Sequence, residues 1–170
     1  MKTQIAFSTV FFLGLFSAIA AGQTTKPSNA NDTAAKTDRT IITSMTSEEF
    51  QHFVQAMGFE CTRGKDEAGK DETFFTFRAE GYKVAVIINA PGYVTLYNEF
   101  TDVNPTLATV NEWNQVNSFS RAYVAKDGNA VLENDLILSG GVTHESVEVF
   151  IKTFRDSVAR WARFVLDRKK

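Results

Sequence analysis

The sequence has few of the residues on which disulfides and metal sites depend. Its 170 residues include one cysteine, Cys61, and two histidines, His52 and His144. A single cysteine excludes an internal disulfide, and in an apolar strand it is usually a small buried side chain. Zinc sites need several closely spaced Cys and His ligands, and the sequence contains no such group. We therefore expect neither a metal nor another cofactor.

Catalytic motifs and an excess of charge are also lacking. The chain contains no G-x-S-x-G, Walker or G-x-G-x-x-G sequence, which disfavours an enzyme. Its 18 basic and 20 acidic residues give a net charge of -2, so no general field attracts the phosphates of a nucleic acid. We expect a non-catalytic protein without a nucleic acid partner.

The first 21 residues have the pattern of a signal peptide. Lys2 gives a positive start, residues 5–19 are mostly apolar, and Ala18 and Ala20 stand at the spacing that signal peptidase reads. The apolar run is short for a membrane span and no second run follows, so we expect no span after cleavage. The protein is predicted to be exported, to the periplasm of a Gram-negative host and otherwise as a secreted protein.

Residues 22–40 contain no large apolar side chain, so they cannot bury enough surface to order themselves. We interpret them as a flexible tether. The folded domain is expected over residues 41–168. The chain has 15 Phe residues and is 44% hydrophobic, which is enough to fill one core.

Cap signals predict three helices, over residues 47–57, over residues 105–117 and from residue 144 onward. The caps are Thr46 with Glu49 as a capping box, Asn104 before Pro105, and Thr143. The third helix has a continuous apolar stripe, made of Val147, Phe150, Ile151, Phe154, Val158, Trp161, Ala162 and Val165.

Strand-like runs lie between the helices. They cover residues 59–63, 73–79, 83–89 and 93–100, and then residues 121–125 and 130–138. Short turns with Gly or Pro-Gly link them, which favours antiparallel neighbours because parallel strands need longer crossovers. The predicted fold is therefore α+β with an antiparallel sheet and the element order α-β-β-β(-β)-α-β-β-α.

Five short motifs in the second half of the chain resemble the YbjN-type family of bacterial sensory transduction regulators. They are Asn111-Glu112-Trp113-Asn114, Arg121-Ala122-Tyr123, Asp127-Gly128, Leu132-Glu133-Asn134-Asp135 and Gly140-Gly141-Val142-Thr143. The resemblance covers residues 41–165. It implies a fold similar to that of type III secretion chaperones, which often dimerise, and a regulatory or chaperone-like binder without established catalysis.

The cluster of Asn111, Trp113 and Asn114 is the first candidate site. The two amides lie on one face of the second helix beside an indole, an arrangement that suits a peptide backbone, a carboxylate or a small molecule. In the alternative, Trp113 packs in the core and the amides satisfy nearby backbone.

Glu133 and Asp135 form the second candidate site, because residues two apart on a strand share a face. They suit a cation or a basic partner segment, and they are the first candidates for a hydrolase site; the alternative is a solvated face. A two-residue turn at Asp127-Gly128 would place Ala122 on the face of the carboxylates and Tyr123 on the opposite face.

Leu107, Val110 and Trp113 make a short apolar row on the second helix. This row predicts either the contact of a homodimer or the cover of remaining sheet surface. Taken together, the sequence predicts an exported regulatory or chaperone-like module that binds a peptide or protein partner. The alternatives are a periplasmic small-molecule binder and a hydrolase with an unrecognised carboxylate site.

Signal cleavage can be tested directly. The mature chain should begin between Ala21 and Gln23, because signal peptidase cuts after Ala20 or one or two residues later. Mass spectrometry of the protein from its native host checks this, and an intact segment Met1–Ala20 in the soluble cytoplasm would contradict it.

Overall fold

The computed structural model describes residues 40–65, 71–89 and 92–168, so the predicted signal peptide and all but the last residue of the tether lie outside the described residues. The described elements, in chain order, are β1 (Ile41–Ile42), α1 (Ser47–Ala56), β2 (Cys61–Lys65), β3 (Asp71–Ala79), β4 (Tyr82–Asn89), β5 (Tyr93–Phe100), α2 (Leu107–Val116), β6 (Arg121–Val124), β7 (Ala130–Ile137), β8 (Val142–Thr143) and α3 (His144–Leu166). None of the described helices combines the length and the apolarity of a membrane span.

Six strands form one antiparallel sheet in the order β2-β3-β4-β5-β7-β6, and β1 pairs with β8 in a separate two-stranded ribbon. The predicted α+β class and antiparallel sheet are confirmed, with four strands between α1 and α2. The strands β1 and β8 could not be predicted, because two residues are too few to show alternation. In the larger sheet, β2 and β6 are the edge strands.

The sheet buries one face and leaves the other open. The residues that face the helices are almost all apolar, and they include Phe75, Phe77, Val84, Val86, Val94, Leu96 and Leu132. Phe50 of α1 packs on Phe75, with ring centroids 6.3 Å apart. Because strand side chains alternate, the residues between these positions point away from the helices. No described helix covers that second face.

The predicted caps of α1 and α3 are confirmed. Thr46 Oγ1 accepts a hydrogen bond from the N–H of Glu49, and the Glu49 carboxylate accepts one from the N–H of Thr46. The carboxylate also accepts from the Thr46 hydroxyl, and the two bonds that it accepts, from the N–H first and from the hydroxyl second, lower the pKa of Glu49. Thr143 likewise caps α3 by accepting from the N–H of Ser146. Every residue of the predicted α3 stripe is buried.

Three aromatic rings join α2 to α3 on the helical side of the sheet. The rings of Trp113 and Trp161 lie 5.1 Å apart in an edge-on arrangement, and Phe164 contacts both. Both indoles are buried. Edge-on aromatic pairs add to the gain from area burial, so this cluster fixes α2 against the last helix.

The predicted start of α2 is wrong by two residues. Thr106, rather than Asn104, is the cap, and its Oγ1 accepts from the N–H of Thr109. Thr106 has the extended backbone that a cap needs, whereas Asn104 has a φ of 47°. The helix therefore begins after Thr106, the residue that follows Pro105.

The hairpin at Asp127-Gly128 is confirmed, but its predicted register is wrong by one residue. Gly128 donates to the carbonyl of Ala125, and Ala125 donates to the carbonyl of Asn129. The loop thus has one more residue than a two-residue turn, and Gly128 takes the positive φ of a glycine bulge. Arg121 now pairs with Glu133, which places Tyr123 on the face of the carboxylates.

Truncation of Trp161 tests how much the domain depends on the aromatic cluster. Because the ring is fully buried, Trp161→Ala should cost about 3–5 kcal/mol of unfolding free energy. Val149→Ala, on the exposed side of α3, is the matched control and should stay within about 0.5 kcal/mol. Chemical denaturation measures both. Equal midpoints for the two variants would show that the cluster does not anchor α3.

Candidate binding surfaces

The three residues of the first predicted site do not share the same surroundings in the structure, because one is in the core and two are on the surface. Trp113 is only 1% exposed and belongs to the aromatic cluster, while Asn111 and Asn114 lie on the surface of α2. Val110 is also buried. Of the apolar row proposed for a dimer contact, Leu107 alone is exposed, at 73%. The prediction of dimerisation through α2 therefore depends on Leu107 and its surroundings.

Asn114 closes part of the free edge of the sheet. Its Oδ1 accepts from the N–H of Ala122 at 2.9 Å, and its Nδ2 donates to the carbonyl of the same residue at 3.0 Å. Ala122 lies on the edge strand β6, so the amide takes the place of a neighbouring strand. This is the alternative reading of the cluster, in which an amide satisfies nearby backbone.

The helix α2 runs alongside β6 in the opposite direction. Asn114 lies beside Ala122, and Asn104, before the helix, approaches Gly128 so closely that a Cβ there would lie 2.5 Å from the Asn104 Oδ1. Asn111, one turn before Asn114, therefore lies toward Val124. We call Leu107, Asn111, Asn114, Phe119 and the outward backbone of β6 the edge surface.

Phe119 is the most exposed large apolar residue of the edge surface, at 74%. It precedes β6 in the loop from α2 and has a φ of 62°, a conformation that bulky residues rarely adopt. The backbone thus turns the ring toward solvent at one end of the edge surface. Nothing in the sequence marks a positive φ at this phenylalanine, so its exposure could not be predicted.

The second predicted site lies on the uncovered side of the sheet, which we call the open face. Glu133 is 8% exposed. Its Oε2 accepts from the Tyr123 hydroxyl at 2.8 Å, and its Oε1 forms an ion pair with Arg121. The exposed Asp135 accepts from the Thr95 hydroxyl at 2.5 Å, and Asn89 donates to that same hydroxyl oxygen. Both carboxylates are held by neighbours in the sheet.

A third carboxylate, Glu99, is held by neighbours in a similar way. Glu99 accepts from the Tyr97 hydroxyl at 2.8 Å and from the side chain of Asn129 at 2.6 Å. Burial, more than any neighbouring charge, raises the pKa of both Tyr97 and Tyr123. The two phenols therefore remain protonated donors. Tyr123 and Arg121 could not be predicted because they join Glu133 only in the observed register of β6 and β7, and Tyr97 was not predicted although its partner Glu99 lies two residues away on the same strand.

Other titratable groups form no comparable cluster in the described ranges. Burial raises the pKa of Cys61 to about 11, so its thiolate, the nucleophilic form, is scarce at neutral pH. Within the described residues, no three His, Cys, Asp or Glu side chains lie together as metal ligands would. A cavity of about 470 Å³ beside Thr106 and Arg168 is separate from both predicted sites.

Comparison with known proteins gives a family and a fold. Residues 46–167 match the model of the YbjN family, described as "Putative bacterial sensory transduction regulator". YbjN from E. coli has a TM-score of 0.57 at 11% identity, with 74% of this chain and 92% of that chain covered. No curated protein matches the sequence.

Two further solved structures are similar over most of their length. The Yersinia pestis type III secretion chaperone SycH, in complex with a stable fragment of YscM2, has a TM-score of 0.46 at 12% identity, covering 67% of this chain and 97% of that chain. An uncharacterised protein from Methanothermobacter thermautotrophicus has a TM-score of 0.49 at 10% identity, covering 74% and 100%. The family model spans well over half of the sequence, and the chain belongs to the YbjN family.

Proposed function

We propose that this protein is an exported, non-catalytic regulatory or chaperone-like module that binds an extended segment of a peptide or protein along the edge surface. The observation that carries the proposal is the pair of exposed apolar side chains, Leu107 and Phe119, that flank the edge strand β6. Membership of a family described as regulators supports it. The signal-like sequence before residue 22 supports export.

The backbone of β6 offers hydrogen bonds to such a segment. Alternation along a strand makes the N–H and C=O of Val124 point to the same side as those of Ala122. Asn114 satisfies only Ala122. An extended segment that adds to a sheet edge gains main-chain bonds at positions like Val124. Asn111 lies beside that position and has amide groups of both kinds.

Specificity would come from the two ends of the edge surface. Leu107 and Phe119 each present a large apolar side chain, and burial of such a side chain in an interface is favourable because it removes apolar area from water. Asn114 has a second effect, since its bonds to Ala122 block a long continuous pairing with β6. The edge surface is thus suited to a short segment with apolar residues at its ends.

The carboxylates of the open face support a binding role over hydrolysis. A general base needs a free oxygen within reach of the proton that it removes. Both oxygens of Glu133 are engaged, by Tyr123 and Arg121. Asp135 lies on the open face with Thr95 as its partner. This pair therefore resembles a structural network more than a pair of acid and base.

Capture of the partner with matched variants tests the proposal. The bait is the mature chain from residue 22 onward, applied to the exported fraction of the native host. Phe119→Asp and Leu107→Asp should each weaken capture of the specific partner by about tenfold or more, as expected for apolar anchors of an interface. Asp tolerates the positive φ at position 119 better than Phe does, so the fold should be kept.

The control is Val149→Asp, which adds the same charge on the exposed side of α3. It should capture the partner as well as the unchanged chain does. Equal capture by all four proteins would remove the edge surface from the binding site. Loss of capture with the control alone would place the partner on α3 instead.

A further inference from the structure

In the middle row of the open face, the side chains are low on one half of the sheet and high on the other, and we call these the low half and the high half. Across its middle, the side chains on β2, β3 and β4 are small, while those on β5, β7 and β6 are large. Residues paired between neighbouring strands form one row across the sheet, from β2 to β6: Thr62, Thr76, Ala85, Tyr97, Glu133 and Arg121. A depression of about 280 Å³ lies in the low half, beside Thr62 and Thr76.

The two halves also differ in charge. Arg78 and Lys83 line the depression in the low half, next to one acidic residue, Glu60. The carboxylates Glu99, Glu133 and Asp135 lie on the strands of the high half, where Arg121 is the one basic partner. One half is therefore low in the middle row and has mainly basic residues at the depression, and the other is raised in that row and mainly acidic.

A two-fold axis parallel to the strands brings unlike halves together. Rotation about such an axis, placed between β4 and β5, lays β3 of one copy on β7 of the other and β2 on β6. Small side chains then face large ones, and Arg78 comes near the acidic strand of the second copy. We propose that the open face is an interface between two copies of this chain, packed sheet against sheet.

The ends of the strands agree with this arrangement. Ile87, Tyr93 and Ile137 lie toward one end of the open face, and all three are exposed, Ile137 by 67%. The same rotation does not shift a residue along the strand direction. The apolar end of one copy therefore faces the apolar end of the other. An interface of this type is isologous, because the same surface is used by both copies.

The available area is sufficient for a stable dimer. The four central strands have eight or nine residues and extend about 26 Å, while the edge strands β2 and β6 have five and four residues. With neighbouring strands about 4.8 Å apart, the flat area is about 600 Å². Side-chain relief enlarges this toward the ~800 Å² per partner of a standard interface. Sheets that pack in this way lie about 10 Å apart, a separation that the tyrosines on one half can fill.

Association of the mature chain, from residue 22 onward, tests the proposal. Light scattering over a range of concentrations should give the mass of a dimer. Arg78→Glu puts like charges together and should raise the dissociation constant by about tenfold or more. Thr76→Tyr fills the depression and should have a similar effect, while tyrosine remains suited to a strand. Arg163→Glu, on the exposed side of α3, is the charge-matched control and should leave the mass unchanged.

Cross-linking gives a second readout that does not require the dimer to be weakened. In a Cys61→Ala background, Ala85→Cys lies beside the proposed axis, so a short bismaleimide should link two copies. Val149→Cys and Leu107→Cys lie outside the proposed interface and should not be linked efficiently. Circular dichroism of each variant confirms that it is folded.

Three results would overturn the proposal. The first is a monomer mass at every concentration. The second is a dimer that tolerates both Arg78→Glu and Thr76→Tyr. The third is a dimer lost with Leu107→Asp and cross-linked through Leu107→Cys, which would place the second copy on α2. Because Phe119→Asp leaves the open face unchanged, loss of the partner in that variant with retention of the dimer separates the two proposals.

Discussion

The burial of the apolar stripe of α3 against one face of the six-stranded sheet is the constraint on which the rest of the domain depends. The helix is 23 residues long, and its buried side chains run from Val147 to Val165. Such a stripe has to cover a face of the sheet, because leaving it in water would cost about 25 cal/mol for each Å² exposed. With α1 packed on the same side through Phe50 and Phe75, the core is complete on one side. Every polar or half-polar residue that alternates with the core positions then lies on the open face.

The position of α2 follows from the same core. Trp113 packs on Trp161 and Phe164, so the helix cannot move away from α3 without exposing two large rings. This contact places α2 beside β6, where Asn114 reaches the backbone of Ala122. A single amide thereby satisfies both backbone groups of an edge residue that no strand pairs on that side. The exposed Phe119 and Leu107 lie toward the two ends of this edge.

The elements with long, periodic patterns could be predicted from the sequence, and those set by a single residue could not. The stripe of α3, the caps Thr46 and Thr143 and the limits of β5 agree with the structure. The register of β6 depends on one extra loop residue, and Asp-Gly is compatible with a loop of either length. The choice shifts Tyr123 and Arg121 to the face of Glu133, so the surroundings of that carboxylate could not be derived. For α2, Asn104 with Pro105 and Thr106 are competing cap signals, and the backbone conformation at Asn104 decides between them.

Glu133 illustrates why a residue identified from sequence needs its neighbours before it is given a role. A carboxylate that is 8% exposed pays a large desolvation cost unless its charge is compensated. Arg121 compensates it on one oxygen and Tyr123 on the other. Tyr123 donates as a neutral phenol, and burial raises its pKa further above neutral pH. The desolvation cost of Glu133 is therefore offset by residues of the same chain, and their contacts hold its side chain in place. A carboxylate held in this way contributes shape and charge to a surface that meets another protein. Proton transfer instead requires a carboxylate oxygen with a free lone pair.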